Sequence, residues 1–309
     1  MIQTGFFTHA ACAAHEMGSW HPESPERLAA IQDQLIATGL LPHLEHVEET
    51  PAADWEAIAR AHDRAYLEKL QSLVPLQGYW PVDPDTTMNV HTLKAALHAA
   101  GAVIAATDSV IDRQLANAFC SVRPPGHHAR RKAAMGFCFF NNIAVGARHA
   151  LEARGLKRVA VIDFDVHHGN GTEEILAYDP RVLMLSFFQH PFYPYTGTEE
   201  IAPNMINSPL PAGTTGETVR ELVDTSWLPR LEAFRPEMIF ISAGFDAHRE
   251  DDLGQMSLVE SDYAYITRRL MEVADRHAQG RIVSALEGGY NLSALARSVV
   301  AHIKTLAQL

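Results

Sequence analysis

Cysteine is scarce in this chain, and its distribution excludes two ways of stabilising a fold. The 309 residues contain three cysteines, Cys12, Cys120 and Cys138. Three scattered thiols form neither a disulfide framework nor a zinc knuckle. An odd number of cysteines with mostly hydrophobic neighbours is typical of a reducing compartment. The cysteines therefore favour a cytoplasmic protein.

Basic residues are also in deficit. Lysine and arginine number 25 against 37 acidic residues, which gives a net charge of −12 with only 20% charged residues. A dedicated DNA or RNA binder normally presents a basic face, so we expect no nucleic-acid partner. An acidic field attracts cationic substrates such as amines or lysine-rich peptides, although the same charge also serves simply to keep a protein in solution.

Long uninterrupted apolar runs are absent too. The most apolar stretch, residues 93–111, is interrupted by Lys94, His98 and Asp108. Its apolar residues recur at helical spacing, which predicts a packed helix and not a membrane span. The N-terminal residues lack the basic segment and apolar core of a secretory signal. We therefore expect a cytoplasmic protein with no membrane partner.

The chain contains enough hydrophobic residues to form a large core. Hydrophobic residues make up 47% of the chain, and no repeat or linker divides it, so residues 1–309 are predicted to form one domain. Thr218–Phe234 and Val259–His277 are predicted helices. Five short apolar runs are typical of buried strands: Ala118–Val122, Arg158–Asp165, Val182–Phe187, Met238–Ser242 and Arg281–Leu286. The alternation predicts a single-domain α/β fold, an open parallel sheet with helices on both faces.

Two segments of the first third carry local signals. Ser24 and Pro25 predict the N-cap and first residue of a helix, and Gly39 predicts its end. Residues 75–91 contain three prolines and two aromatic residues. They are predicted to form a surface loop at the rim of a pocket.

Reactive side chains follow four of the predicted strands. His127 and His128 come after a Pro-Pro-Gly turn, Asp165 is the last residue of another strand, and Asp246 and Tyr290 each lie just past the end of a further strand. Open parallel sheets place their ligand sites at the edge where the carboxyl ends of the strands meet. The sequence therefore predicts that these side chains share one site.

The residue types at this edge suit a catalytic metal. Asp165 and His167 are two residues apart, so they point to the same side of an extended segment. Together with Asp246 they offer two carboxylates and an imidazole, which suits Zn²⁺ or Fe²⁺ and leaves coordination positions open. The adjacent histidines supply the acid/base partner, and Tyr290 supplies a donor for an oxyanion. The pattern predicts a metal-dependent amidohydrolase.

Further residues are candidates to support this site. Asp163 lies on the same face as Asp165 and is placed to hold a histidine. Asn170 is placed to orient the other histidine, although it equally suits a turn before Gly171. His168 points away from His167 and is predicted to be structural. Gly136–Phe137 and Phe192–Pro194 offer aromatic rings for a narrow channel, although such rings are individually common in cores.

Six motifs in order along the chain resemble one known family. HPESPERL, RPPGHH, DFDVHHGNGT, HPFYPYTGT, SAGFDAH and LEGGY extend from residue 21 to residue 290, nearly the whole chain. In this order they resemble the histone deacetylase family, which shares its fold with arginases. SAGFDAH and Asn170 are closest to the class II branch, which includes bacterial deacetylase-like amidohydrolases and polyamine deacetylases.

The resemblance implies which metal ions the protein binds and which residues hold them. It implies Zn²⁺ bound by Asp165, His167 and Asp246. It also implies a structural K⁺ near Asp163, Asp165, His167 and Ser186, held mostly through backbone oxygens. Acetate would leave past Arg27, below the metal.

The resemblance also implies catalytic roles. His128 acts as general base and then general acid, His127 acts mainly electrostatically, and Tyr290 stabilises the oxyanion. Asp163 pairs with His127, and Asn170 pairs with His128. The residues predicted to line the substrate channel are Gly136, Phe137, Tyr193, Leu253 and Gly289. Asp85 and Thr86 are candidates for substrate contact at the rim.

Two positions depart from the pattern of relatives. Tyr193 stands where many relatives have a channel phenylalanine. Leu253 stands where the eukaryotic polyamine deacetylase has a glutamate gatekeeper, which weakens a polyamine assignment without excluding it.

The expected activity is hydrolysis of an N-acetyl amide, with acetyl-lysine in peptides or proteins as the first choice of substrate. Acetylpolyamines or other small acetylated amines are the alternative. A non-catalytic acetyl-binding module is disfavoured because neither a ligand nor the tyrosine is missing. An arginase-type ureohydrolase is also disfavoured. It needs further carboxylates for a second metal, and one D-x-H motif plus one aspartate does not supply them. The sequence leaves the oligomeric state open.

Overall fold

Ten strands and eleven helices follow one another along residues 3–309, the part of the chain that this computed structural model describes. The strands are β1 (Thr4–Phe7), β2 (Glu45–Val47), β3 (Trp80–Asp83), β4 (Thr86–Met88), β5 (Asn117–Cys120), β6 (Val159–Asp163), β7 (Val182–Gln189), β8 (Met205–Leu210), β9 (Met238–Ala243) and β10 (Ile282–Leu286). The helices are α1 (Ala10–Ala13), α2 (Glu26–Ala37), α3 (Trp55–Ala59), α4 (Arg64–Leu73), α5 (Thr92–Ile111), α6 (Asn142–Glu152), α7 (Asn170–Leu176), α8 (Gly216–Leu222), α9 (Leu228–Phe234), α10 (Glu260–His277) and α11 (Leu292–Leu306).

Eight of these strands form one parallel sheet. Their order is β2-β1-β5-β10-β9-β6-β7-β8, and each neighbouring pair runs parallel. Parallel neighbours need crossover connections, which the helices supply. The predicted α/β class, with one open parallel sheet in a single domain, is confirmed.

Two buried clusters lie on opposite faces of the sheet. Within β9, Met238 and Phe240 join one cluster while Ile239 and Ile241 join the other. Helices α5 and α6 pack on the first cluster, and α2, α10 and α11 pack on the second. Because the central strands are covered on both faces, their sequences are continuous apolar runs. This is why five of them are recognisable from sequence.

The strands β1, β2 and β8 were not predicted. β2 and β8 are the two edges of the sheet, and they are only partly buried. β8 contains Asn207, Ser208 and Pro209, which suit an edge and interrupt an apolar run. β1 begins with Thr4 and Gly5, so it contains only two apolar residues in succession and no continuous apolar run.

Two helix predictions need correction. Helix α2 begins at Glu26, with Pro25 at the N-cap position and no side-chain cap, so Ser24 does not cap it. The backbone already turns at Pro25, where Arg27 N–H donates to Ser24 O. The predicted helix 218–234 is divided into α8 and α9 by a π-turn, Val223–Trp227. Pro229 lacks an N–H and crowds the carbonyl four residues before it, so the turn widens there.

Residues 75–91 are not a plain loop. They contain β3 and β4, which pair antiparallel with Trp80 opposite Met88. Tyr79 and Trp80 are nevertheless about half exposed, at 50% and 49%. The segment is therefore a surface hairpin, and its turn reaches the mouth of the cavity described below.

The 93–111 segment is helix α5, as predicted. Within residues 3–309, none of the helices combines the length and apolar character needed to cross a bilayer.

Candidate active site

The four strands that carry the reactive motifs are neighbours in the sheet. β5, β10, β9 and β6 stand side by side, although they come from distant parts of the chain. His127–His128, Tyr290, Asp246 and Asp165 follow these strands in that spatial order. Their side chains meet at the carboxyl edge of the sheet, where the sequence pattern placed them.

Asp165, His167 and Asp246 form one cluster of ligand atoms. One atom from each residue lies within 4.8 Å of the other two. His167 Nδ1 is 3.1 Å from Asp165 Oδ1 and 3.1 Å from Asp246 Oδ2. The corners of a tetrahedral zinc site with bonds of about 2.1 Å are about 3.4 Å apart, so the spacing suits such an ion.

Backbone groups and glycines hold the two carboxylates in place. Asp165 Oδ2 accepts from Gly288 N–H at 2.8 Å, and Asp246 Oδ1 accepts from Val166 N–H at 2.9 Å. A Cβ at Gly244 would overlap Asp165 Oδ2, and a Cβ at Gly288 would overlap Asp246 Oδ2. The carboxylates thus occupy space that only glycines leave free.

The charge balance of this cluster favours a cation. Both carboxylates are fully buried. Burial and the neighbouring charge of Asp165 raise the pKa of Asp246 to about 7. Burial opposes protonation of His167, but hydrogen bonds to Asp165 and Asp246 outweigh it and raise the pKa of His167 to about 9. Two buried carboxylates beside one imidazole leave an excess of negative charge, and this is the donor set expected for a divalent ion.

The paired histidines have different partners. His127 Nδ1–H donates to Asp163 Oδ2 at 3.0 Å, and His128 Nδ1–H donates to Asn170 Oδ1 at 2.8 Å. These bonds leave Nε2 of each ring facing the site. Asn170 is the first residue of α7, so it both begins a helix and orients a ring.

The different partners give the two rings different protonation tendencies. Burial opposes protonation of His127, but Asp165 and Asp163 outweigh it and raise its pKa well above the usual value. Burial, together with His127 and His167, lowers the pKa of His128 well below the usual value. His128 is therefore a neutral ring with a free Nε2, while His127 is suited to carry charge.

Tyr290 is placed by a neighbouring loop. Asp251 Oδ2 accepts from the backbone N–H of Tyr290 at 2.6 Å and of Asn291 at 3.0 Å. The guanidinium of Arg27 lies 5.0 Å from the centre of the tyrosine ring. Burial raises the pKa of the Tyr290 hydroxyl well above its usual range, so it stays a hydrogen-bond donor.

A cavity of about 300 Å³ leads to these groups. His128, His167 and Tyr290 lie among its walls. The remaining lining residues are Asp85, Gly136, Phe137, Phe192, Tyr193, Asp252 and Leu253. Four of the five predicted channel residues are thus present, together with Asp85 from the rim.

Two predicted contacts lie outside this cavity. Gly289 is buried behind the wall, where its carbonyl accepts from Arg27 Nε–H at 2.7 Å. Its φ of +117° turns the chain between Glu287 and Tyr290. Thr86 is fully buried, and its hydroxyl accepts from Phe137 N–H at 3.0 Å and donates to Asp85. Thr86 therefore supports the wall and does not face a substrate.

Sequence reasoning missed several supporting residues. Glu287 and Asp251 accept from backbone N–H groups, and Gly244 leaves space for the carboxylate of Asp165. No motif spacing predicts these contacts. Glu287 stood within LEGGY without an assigned role. A buried acidic residue one position beyond an apolar strand was the available signal, since such a group needs hydrogen-bond partners.

The implied K⁺ site stays a prediction. Asp163 on β6 is paired in register with Ser186 on β7, so these residues share one patch of the sheet. Ser186 Oγ donates to Asn207 Oδ1 at 2.9 Å. His168 is buried and hydrogen-bonds to Thr196 Oγ1 at 2.8 Å, which agrees with a structural residue.

Comparisons with known proteins agree with one another. Residues 21–306 match the family model of the histone deacetylase domain. A probable deacetylase of Archaeoglobus fulgidus is 38% identical over 94% of this chain and 82% of its own length. The histone deacetylase-like amidohydrolase of Pseudomonas aeruginosa is 36% identical over 94% of this chain and 82% of its own length. The crystal structure of the HDA15 HD domain covers 99% of this chain and 90% of its own, with a TM-score of 0.91 and 32% identity.

Proposed function

Because this chain belongs to the histone deacetylase family and is a hydrolase, we propose that it hydrolyses the acetyl amide of acetyl-lysine in peptides or proteins, with Zn²⁺ as its metal. The observation that carries the proposal is that the candidate metal ligands, the base and the oxyanion donor lie at the same cavity. The Asp165–His167–Asp246 cluster, a neutral His128 and the Tyr290 hydroxyl all meet at one cavity of about 300 Å³.

The donor set supports a Zn²⁺ or Fe²⁺ ion held by Asp165, His167 and Asp246. Such an ion supplies Lewis-acid polarisation of a carbonyl and activation of water. Zinc is preferred here because the spacing of the donor atoms fits tetrahedral coordination with an open position.

His128 is the proposed general base and acid. Its Nδ1–H is committed to Asn170, so Nε2 accepts a proton from the attacking water. The same Nε2–H then donates that proton to the nitrogen of the departing amine. His127, held as a cation by Asp163, stabilises the negative charge that develops beside it.

Tyr290 is the proposed oxyanion donor. Its hydroxyl stays protonated and lines the cavity next to His128 and His167. A donor in this position strengthens its hydrogen bond as the amide oxygen gains charge. Arg27 and the backbone of Gly289 hold the ring from behind.

The walls of the cavity support an extended, cationic substrate. Phe137 and Phe192 provide apolar surface for an alkyl chain, while Asp85 and Asp252 provide carboxylates. The cavity lining includes no lysine or arginine among residues 3–309. These carboxylates also favour acetylpolyamines as the alternative substrate, but Leu253 offers no gatekeeper charge.

The test is turnover of the zinc-loaded protein on matched acetyl-lysine peptides and acetylspermidine. We expect hydrolysis of both classes, with the higher kcat/KM on the peptides. Tyr290→Phe should lower kcat by about 100-fold or more because it removes one oxyanion donor. Asp246→Ala should abolish both zinc binding and turnover.

Several results would contradict the proposal. A protein that holds zinc but hydrolyses neither substrate is not a deacetylase of acetylated amines. A higher kcat/KM on acetylspermidine would replace the first substrate by the alternative. Full activity in Tyr290→Phe would remove the tyrosine from the mechanism.

A further inference from the structure

We propose that Glu287 is a positioning residue that holds the histidine pair in its reactive orientation by hydrogen bonds to the turn before it. The inference rests on the proposed function and adds to it a residue that touches neither substrate nor metal. Glu287 is the first residue after β10, and its side chain is fully buried.

The contacts of Glu287 link three neighbouring strands. Its Oε2 accepts from Gly126 N–H at 2.6 Å and from His127 N–H at 3.0 Å. Its Oε1 accepts from the Ser242 hydroxyl at 3.1 Å. Gly126 and His127 follow β5, and Ser242 belongs to β9. A single carboxylate of β10 thus ties the histidine turn to both of its neighbours in the sheet.

The backbone of His127 is held on both sides. Its N–H ends on Glu287, while its carbonyl accepts from Gly171 N–H at 3.0 Å and Thr172 N–H at 3.1 Å at the start of α7. Asn170, at the same helix start, orients His128. Glu287 therefore sets the position of the turn relative to the helix that carries the partner of His128.

The position of the turn matters because it sets the positions of both imidazole rings. The centres of the two imidazoles are 4.1 Å apart, and His127 Nε2 is 3.8 Å from Asp165 Oδ2. A backbone shift of the turn moves both rings together. Displacement of a reacting group by about 1 Å is enough to cost about 100-fold in rate.

Two conservative variants separate geometry from charge. Glu287→Gln has the same length, and its amide oxygen can accept both N–H bonds while its amide nitrogen donates to Ser242 Oγ. Glu287→Asp keeps the charge but withdraws the oxygens by one methylene. A contact that works through geometry tolerates Gln and not Asp, whereas one that works through charge shows the reverse.

The first experiment measures kcat and KM of both zinc-loaded variants on an acetyl-lysine peptide. We expect Glu287→Gln to keep most of the wild-type kcat and Glu287→Asp to lose about 100-fold in kcat with KM nearly unchanged. Glu237→Asp is the matched control, because Glu237 also accepts from two successive backbone N–H groups, those of Lys157 and Arg158, at the opposite edge of the sheet. This control should keep the wild-type kcat.

A second measurement does not depend on turnover. The low-field imidazole N–H resonance of the His127–Asp163 bond, assigned by its loss in Asp163→Asn, should persist in Glu287→Gln and shift or broaden in Glu287→Asp. If the wild type hydrolyses nothing, the proposed function fails while this measurement still tests the positioning role.

The proposal is overturned if Glu287→Asp keeps the wild-type kcat and imidazole resonance. It is also overturned if Glu287→Gln loses activity as severely as Glu287→Asp, because a side chain of the same length that can keep all three hydrogen bonds would then fail, and their geometry would not explain the role. Equal losses of kcat in Glu287→Asp and Glu237→Asp would reduce the role to general stability.

Discussion

At the scale of single residues, the two glycines beside the ligand cluster decide whether the carboxylates can approach each other. Gly244 faces Asp165, and Gly288 faces both Asp246 and Asp165. Gly288 also donates its N–H to Asp165 Oδ2. Any side chain at these positions enters the volume that the carboxylates fill, so the glycines are required by close approach and not by backbone conformation.

We therefore expect Gly288→Ala to weaken metal binding. The added Cβ displaces the carboxylates of Asp246 and Asp165, and disturbed ligand orientation typically costs about 10–100-fold in metal affinity. Zinc affinity by competition with a chelating dye measures the effect. Gly213→Ala is the control for backbone strain without a steric clash, because Gly213 has a φ of +81° and a Cβ there meets nothing within 4 Å. Unchanged affinity in a folded Gly288→Ala protein would show that the cluster does not need this space.

At the scale of elements, the loop after β9 connects Asp246, the proposed metal ligand, to Tyr290, the proposed oxyanion donor. Asp251 in this loop accepts from Tyr290 N–H and Asn291 N–H through one oxygen, and from Leu253 N–H at 2.9 Å through the other. A single carboxylate therefore sets Tyr290 and the cavity residue Leu253 relative to each other. Asp252, the next residue, is exposed and lines the cavity.

Asp251→Asn and Asp252→Asn should have opposite kinetic signatures. An amide has only one acceptor oxygen, so Asp251→Asn leaves an N–H bond of the loop unmade, and hydrogen bonds to charged groups contribute about 1.5–3 kcal/mol. We expect kcat to fall by about tenfold with little change in KM. Asp252→Asn should raise KM for cationic substrates and leave kcat unchanged. Steady-state kinetics on a cationic and a neutral acetylated substrate would decide, and an identical response of the two variants would contradict this division.

At the scale of the whole molecule, several buried histidines are neutral parts of the core. Burial lowers the pKa of His302 to about 3. Its ring lies between Thr267 and Ser284, with Nδ1 at 2.6 Å from Thr267 Oγ1 and Nε2 at 2.9 Å from Ser284 Oγ. Thr267 already donates to the Tyr263 carbonyl, so Nδ1 carries the hydrogen and Nε2 accepts from serine. The neutral ring satisfies both partners.

This histidine should make the protein less stable in mild acid. The folded pKa lies below the ordinary value of 6.5, so the unfolded chain binds the proton first as the pH falls, and stability is lost below about pH 6.5. Between pH 7.5 and 5.5 one such histidine costs about 1.4 kcal/mol. We expect His302→Gln to lose less unfolding free energy over this range than the wild type, by about that amount. Urea unfolding at the two pH values measures it, and equal losses in both proteins would contradict the assignment.

The sequence by itself determined the fold class and predicted the composition of the candidate site. The central strands are covered on both faces, and this burial makes them continuous apolar runs that are visible without any structure. The reactive residues follow these runs directly, so their place at the carboxyl edge of a parallel sheet followed from general rules of such sheets. Edge strands such as β8 were not predicted because half-exposed strands do not form continuous apolar runs.

Only the tertiary structure decided which strands stand next to each other. β10 lies between β5 and β9, although the chain makes these strands in a different order. That arrangement brings Glu287 beneath Gly126 and His127, and Asp251 beneath Tyr290. Local sequence patterns record the period of an element and its ends, whereas strand order depends on long-range packing of helices on both faces. The residues that hold the site in place were therefore decided by the fold, and the residues proposed to carry its chemistry were visible in the sequence.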